Sequence, residues 1–381
     1  MTFPPPSTTT IDWSNVGFMV REVHGHIEST YSMKTGKWTP LKFVRDPYMR
    51  IHGMSPAINY GQQAYEGLKA FRTPGDAGIS IFRPDRNAVR LQHSADVACM
   101  PHVPVDMFLQ AVRAAVALNA EFVPPHETGA ALYVRPQLYG SSAQLGLNAP
   151  DGYTFCVFVV PTGVYHGTHP TKALILDEFD RTAPLGCGHA KVGGNYAPVL
   201  RWSDRARSEG YGITLHLDSA RHEDIDEFST SGFIGVLRGE GEGAGDIALV
   251  VPDSTCVIDS VTSASVLQIA TSWGWKVEKR PIKYTELPRF SEVMAAGTAA
   301  ALVPIRSITR RRSDKLPRGG KVGHADGEET VTYIPAEQED AGEVCLKLLG
   351  QLKGIQLGRE EDEFGWRFAV QEKDKEGIEM A

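Results

Sequence analysis

Cysteine is scarce and scattered: the five residues Cys99, Cys156, Cys187, Cys256 and Cys345 are odd in number and never fall as C-x-x-C. That pattern excludes a disulfide framework and a cysteine-built metal centre, so no metal site is expected and the thiols read as buried and reduced. No apolar run approaches the roughly 18 residues of a membrane span. No basic stripe stands out either, and the formal net charge is -7, so membrane-spanning and nucleic-acid roles are set aside. The N-terminal residues lack a basic region leading into an apolar core and lack an Arg-rich amphipathic stretch. Met1-Thr2-Phe3-Pro4-Pro5-Pro6, followed by Ser7 and three threonines, reads as a short disordered lead on a cytoplasmic protein. What remains is an ordinary globular composition, 42% hydrophobic and 22% charged over 381 residues, enough for a large core and two domains.

The chain shows no internal repeat. Its first part alternates strands and helices. Residues 78–82 read as a strand, Pro84-Asp85 as the entry of a helix carrying Arg90 and Leu91, and Asp106 as the cap of a helix whose Phe108, Val112, Ala115 and Val116 share one face. Two apolar strands follow, at 130–135 and 153–160. Residues 1–165 are therefore expected to form a small α/β domain of α+β character. Residues 166–180, with Gly167 and Pro170, supply an interdomain linker and the first strand of a larger domain over 181–381. There Ile213, Leu215 and Leu217 alternate, as do Ile225, Glu227 and Ser229. Closely spaced strands with few covering helices predict a mostly antiparallel, barrel-like core. Two loose segments, 239–245 and 310–329, read as surface excursions, with Arg310-Arg311-Arg312 in a solvated loop because acidic residues soon follow.

The segment His189-Ala190-Lys191-Val192-Gly193-Gly194-Asn195-Tyr196 sets a lysine against a glycine pair. Either Lys191 is a solvated cation beside a turn, or it is a nucleophilic amine for an aldehyde cofactor such as pyridoxal phosphate, with glycines admitting a flat ring close to the backbone. The second reading requires four further groups. A phosphate cradle is available at Asp259-Ser260-Val261-Thr262-Ser263, where a helix start offers free amides, and at Gly297-Thr298-Ala299-Ala300; a plain Ser/Thr cap is the other account of the first. Arg90 offers a cationic fork. Glu227, beside apolar neighbours on a strand, either pairs with a protonated ring nitrogen or faces solvent. Tyr196 suits a phenolic oxygen or the core. Tyr133 and Arg135, at i and i+2, share one strand face and suit a carboxylate or a structural ion pair.

These residues fall in motifs that resemble the fold-type IV pyridoxal phosphate enzymes, class IV aminotransferases, and among them the branched-chain amino acid aminotransferases. The matching stretches run from Asn59-Tyr60-Gly61-Gln62-Gln63-Ala64-Tyr65-Glu66-Gly67 through the 82–94 segment, Leu132-Tyr133-Val134-Arg135-Pro136, the lysine segment and Gly297-Thr298-Ala299-Ala300, to the closing 355–366. The resemblance implies a two-domain fold, a small α/β domain and a larger one with a barrel-like β core, with the cofactor pyridoxal 5'-phosphate between them, in a homodimer. It implies Lys191 as the catalytic lysine and proton shuttle. Arg90, Val261, Thr262 and Thr298 would hold the phosphate, Glu227 the ring nitrogen and Tyr196 the phenolic oxygen. Tyr133, Thr298 and Ala299 would take the substrate α-carboxylate, Arg135 the distal carboxylate of glutamate or 2-oxoglutarate, and Tyr60, Tyr65 and Tyr165 the side-chain pocket walls. The implied reaction exchanges an amino group between a branched-chain or related hydrophobic L-amino acid and 2-oxoglutarate.

One departure stands out. Family members carry Thr-Met-Asn or Thr-Ser-Asn after the glutamate strand, whereas this chain reads Thr230-Ser231-Gly232-Phe233. A looser or larger pocket is the expectation there. A specialised amino acid of secondary metabolism is thus an alternative substrate, and a same-fold lyase of the aminodeoxychorismate lyase type is a further alternative activity.

Overall fold

The computed structural model describes residues 3–164, 169–239, 247–311 and 327–381. The chain divides into two compact units: Met1–Tyr165 with Ala190–Gly193 and Lys353–Ala381, and His166–His189 with Gly194–Leu352. Lys191 and the C-terminal residues thus group with the N-terminal part, whereas sequence placed them with 181–381. The reason is hydrogen bonding. Val192 bridges to Ala64, the Lys191 amide donates to Ser94 Oγ at 2.9 Å, and strand Arg367–Val370 pairs with residues 79–82.

The first unit contains strands β1 (His26–Ser32), β2 (Lys37–Trp38), β3 (Lys42–Val44), β4 (Gln63–Tyr65), β5 (Leu68–Arg72), β6 (Ile79–Phe82), β7 (Ala131–Gly140) and β8 (Gly152–Thr162), with helices α1 (Pro56–Tyr60), α2 (Pro84–Val97) and α3 (Val105–Leu118). The sheet runs Arg367–Val370, β6, β5, β7, β8, β1, β3, Glu379–Met380, with β2 beside β1 and β4 beside β7. One face, including Leu132, Val134, Leu138, Val157 and Val159, packs with Ala88, Leu91 and Ala95 of α2 and Phe108, Val112 and Ala115 of α3 in the core. Alternation along β7 turns Tyr133, Arg135 and Gln137 to the opposite face, where they are half-buried.

Two local expectations are corrected here. α3 starts at Val105 after Pro104, so Asp106 lies in the first turn, where its charge complements the helix dipole without capping it. β7 continues through Pro136 to Gly140 where sequence ended it at Arg135. The missing proline amide falls between the β4 and β5 pairings, and the Pro136 carbonyl still accepts the Glu66 amide at 2.8 Å.

The second unit holds β9 (Thr171–Ile175), β10 (Ile213–Leu217), β11 (Ile225–Phe228), β12 (Gly232–Arg238), β13 (Ile247–Pro252), β14 (Lys276–Arg280), β15 (Glu292–Gly297), β16 (Ala301–Arg311) and β17 (Glu328–Thr332), with α4 (Leu200–Ser208) and α5 (Val261–Ser272). The order is β11, β10, β9, β16, β15, β12, β13, β14, with β17 on β16. Pairings β9–β10, β9–β16 and β13–β14 are parallel and the others antiparallel. The sheet curls into a half-barrel around Ile175, Leu215, Phe228, Phe233, Val250, Phe290 and Ile305.

The arginine cluster also differs from expectation. Arg310 is on β16, buried, donating from Nε and Nη2 to Asp177, so the register of an edge pairing and a buried carboxylate override its polar neighbours. Residues 240–245 and 312–326 of the two loose segments lie outside the described residues. Among the cysteines, Cys156, Cys256 and Cys345 are buried as expected, whereas Cys99 and Cys187 are exposed; both stand in connecting segments. Among the described residues no helix is long and apolar enough to cross a membrane.

His216 on β10 is buried with neither ring nitrogen hydrogen-bonded. Burial, aided by the charge of Arg181, pushes its pKa down to about 3. The unfolded chain therefore binds a proton that the folded chain refuses between pH 6.5 and about 3, and stability falls as pH is lowered through that window while staying flat above it. Melting curves from about pH 7 to about pH 5 should show a smaller acid loss for His216→Phe than for the parent protein. Equal losses would reject the neutral, buried state of His216.

Candidate active site

Within the first unit, two residues singled out from sequence, Lys191 and Arg135, lie on one aromatic ring, that of Tyr65. The Lys191 Nζ lies 4.7 Å from the Tyr65 ring centroid, and the Arg135 guanidinium lies 5.0 Å from the same centroid. Arg135 also sits 5.1 Å from the Tyr133 ring and donates from Nη2 to the Tyr133 hydroxyl at 3.1 Å. The ring quadrupole favours both cations. Each position follows from chain geometry: Tyr65 ends β4, Tyr133 and Arg135 take the open face of β7, and Lys191 is drawn in by the bridge of Val192 to Ala64. Glycines make the approach possible. A Cβ on Gly67 would run into the Tyr133 hydroxyl, and one on Gly193 into the Gln63 amide.

Arg90 is not an isolated cation. Its Nε donates to Glu66 Oε1 and its Nη2 to Glu66 Oε2, both at 2.7 Å, with Asn87 Nδ2 adding a third bond at 2.7 Å. Asn87, Arg90 and Ser94 form a buried polar stripe on α2 beside the apolar stripe of Ala88, Leu91 and Ala95. Glu66 is fully buried. A second buried amine, Lys69, stands directly cross-strand from Tyr133; burial, with a smaller effect of the Lys353 charge, pushes it down to about 7.

In the second unit, α5 begins with Ser260 as its cap: its Oγ accepts the Ser263 amide at 3.1 Å and its carbonyl accepts the Ala264 amide. The Val261 and Thr262 amides have no acceptor within the helix, which leaves a dipole-assisted site for an anion. Thr298 and Ala299 occupy the turn joining β15 and β16, closed by Ala301 in the left-handed region at φ 65. Glu227, on β11, is buried, and its Oε1 lies 2.7 Å from Arg181 Nη2. Tyr196 is half-buried next to a short 3-10 turn at Ala197–Val199.

Gly232 is the surprise. A Cβ there would lie 2.7 Å from Ser263 Oγ and 3.6 Å from Ser260 Cβ, so a side chain would abut the first turn of α5. The glycine therefore stands beside Ser260 and Ser263 at the start of α5.

Not every predicted residue joins these groups. Tyr60, on α1, is exposed and its hydroxyl donates to the Leu145 carbonyl, and Tyr165 lies outside the described residues. Sequence reasoning missed Glu66, Asn87, Ser94 and Arg181. The i, i+3, i+7 spacing of Asn87, Arg90 and Ser94 was a usable signal for one buried polar stripe; nothing local marks Arg181.

The first unit thus sets an amine and a guanidinium on one tyrosine, and the second unit holds a capped helix start and a buried carboxylate. The model of the amino-transferase class IV family matches residues 63–308. The chain is 52% identical over 371 residues to the aminotransferase poxL of Penicillium oxalicum, covering 97% of this chain and 96% of that protein. It is 46% identical over 368 residues to the branched-chain amino acid aminotransferase gloG of Glarea lozoyensis, covering 96% and 97%. The branched-chain amino acid aminotransferase structure from Escherichia coli superposes with a TM-score of 0.72 at 22% identity, over 92% of this chain and 100% of that one.

The buried Glu66–Arg90 pair makes a stability prediction. Glu66→Ala takes away the carboxylate that meets two nitrogens of a guanidinium whose side chain is 8% exposed, and should cost about 3–5 kcal/mol, read as a lower urea midpoint. An unchanged midpoint would show that Arg90 finds another partner.

Proposed function

The chain belongs to the amino-transferase class IV family and is an aminotransferase, and from that premise we propose that it transfers the amino group of a branched-chain or related hydrophobic L-amino acid to 2-oxoglutarate, using pyridoxal 5'-phosphate. The observation that carries this reading is the shared Tyr65 ring. A guanidinium fit for a second carboxylate stands one ring away from a reactive amine, so glutamate and 2-oxoglutarate gain a contact that monocarboxylates do not. The name of the gloG relative supports the branched-chain side.

The residues fit the cofactor. The first turn of α5 suits a phosphate, Glu227 is a buried carboxylate suited to a cationic ring nitrogen, and Lys191 offers the amine. When bound, pyridoxal phosphate supplies an electron sink for the substrate α-carbon. The chain's residues do the rest. Lys191 would anchor the cofactor and then hold and return the α-proton at Nζ. Val261, Thr262, Thr298 and Arg90 would hold the phosphate, with Glu66 orienting the Arg90 guanidinium. Tyr196 would meet the phenolic oxygen. The Tyr133 hydroxyl and the Thr298 and Ala299 amides would orient the α-carboxylate, and Tyr60, Tyr65 and Tyr165 would wall the side-chain pocket. A homodimer is supported by the exposed apolar Met54, Ile58, Tyr60, Leu145 and Leu147, a continuous surface in that Gln144 donates to the Met54 carbonyl at 3.0 Å and Tyr60 holds Leu145.

Glutamate formation from a panel of aliphatic, aromatic and non-protein L-amino acids tests the reaction. Branched-chain substrates should give the highest kcat/KM; a preference for another class would replace the substrate assignment. Arg135→Ala should lower kcat/KM for 2-oxoglutarate by about 10- to 100-fold and that for a branched-chain 2-oxo acid far less. Equal losses for both would reject Arg135 as the reader of the distal carboxylate.

A further inference from the structure

Glu227 is met by a residue that reaches more than the carboxylate. Arg181, its side chain 2% exposed, sets Nη2 2.7 Å from Glu227 Oε1. The same nitrogen donates to the Gly188 carbonyl at 3.1 Å, and Nη1 donates to the Cys256 carbonyl at 3.3 Å. Gly188 lies in the stretch that leads to Lys191, and Cys256 in the loop that leads to α5. A Cβ on Gly188 would lie 2.7 Å from the Cys256 carbonyl oxygen, so the two segments meet around this guanidinium. Asp226, next to Glu227, holds the Cys256 loop as well: the Ser254 hydroxyl donates to Asp226 Oδ1 at 2.7 Å, and the Cys256 amide donates to Ser254 Oγ at 3.1 Å. The neighbouring His216, neutral in the fold, adds no competing charge.

We propose that Arg181 is a positioning residue for the transamination site, which keeps the Glu227 carboxylate ionised and aimed while tying to it the segments that lead to Lys191 and to the phosphate-binding helix start. The proposal rests on the assignment of Glu227 to the cofactor's ring nitrogen. A buried carboxylate without a cation takes up a proton, and a protonated Glu227 no longer stabilises a cationic nitrogen. A guanidinium is required because its planar fork pairs with one carboxylate and donates to two carbonyls on two other segments, whereas an ammonium is a single point charge.

The test is equilibrium titration with pyridoxal phosphate, followed by the absorbance of the lysine-bound cofactor. Parent protein, Arg181→Met, Arg181→Lys, Glu227→Gln and the Arg181→Met/Glu227→Gln double variant are compared. Arg181→Met should weaken binding at least about tenfold, and Arg181→Lys should recover part of it. In the Glu227→Gln background the same substitution should cost markedly less, because the carboxylate is already neutralised and only the ties to the Gly188 and Cys256 carbonyls are left to lose. Parent-like binding by Arg181→Met, or an equal loss in both backgrounds as a merely structural role gives, would overturn the proposal. If melting curves show that Arg181→Met does not fold, Arg181→Lys in the two backgrounds decides by the same comparison. A parent protein that binds no pyridoxal phosphate would overturn the cofactor assignment itself.

Discussion

A charge taken out of water must be met by an opposite one, and this constraint organises both halves of the molecule. In the first unit, fully buried Glu66 is clasped by Arg90 and Asn87, which fixes α2 against the corner where β4 passes into β5. In the second, Glu227 is held by Arg181, which in turn ties down two connecting segments. Desolvating such pairs is expensive, and hydrophobic residues of similar volume would stabilise a fold at least as well. Their value here is geometric. Each places a polar group, Arg90 or Glu227, in a defined orientation in the fold.

Those groups are arranged by strand parity and by close backbone approach. Tyr133 and Arg135 share the open face of β7, and the lysine segment is stitched to β4 and α2 by one bridge and one hydrogen bond. The result puts Lys191 and Arg135 on a single tyrosine ring. Chemistry alone does not choose between lysines, since Lys69 is the amine that burial brings nearest to neutrality. Access does. Lys69 is 6% exposed within the sheet, whereas Lys191 is half-buried beside Gly193 and Gly194.

Much of this was legible in the sequence, for physical reasons that also explain the rest. Helical periodicity marked α2 and α3, and the i, i+2 spacing of Tyr133 and Arg135 put both on one face. The lysine segment and the Ser/Thr-rich start of α5 were marked by a few adjacent residues. Partnership at a distance was hidden. Glu66 lay inside a motif but drew no role, because its arginine is 24 residues away; Arg181 had no local mark at all. Arg310 looked like a solvated loop residue because the carboxylate that buries it is 133 residues distant. Pro136 seemed to end a strand, and only the break between β4 and β5 shows why it does not. Gly232 stands beside Ser260 and Ser263, neighbours that no local pattern marked.

Lys191 is proposed as the residue that carries the cofactor. Loading the protein with pyridoxal phosphate, reducing it with borohydride and mapping the modified peptide by mass spectrometry tests this directly, because reduction fixes the cofactor to whichever amine holds it. The account predicts one modified residue, Lys191. Modification of Lys69 in its place, or no fixed cofactor, would contradict it.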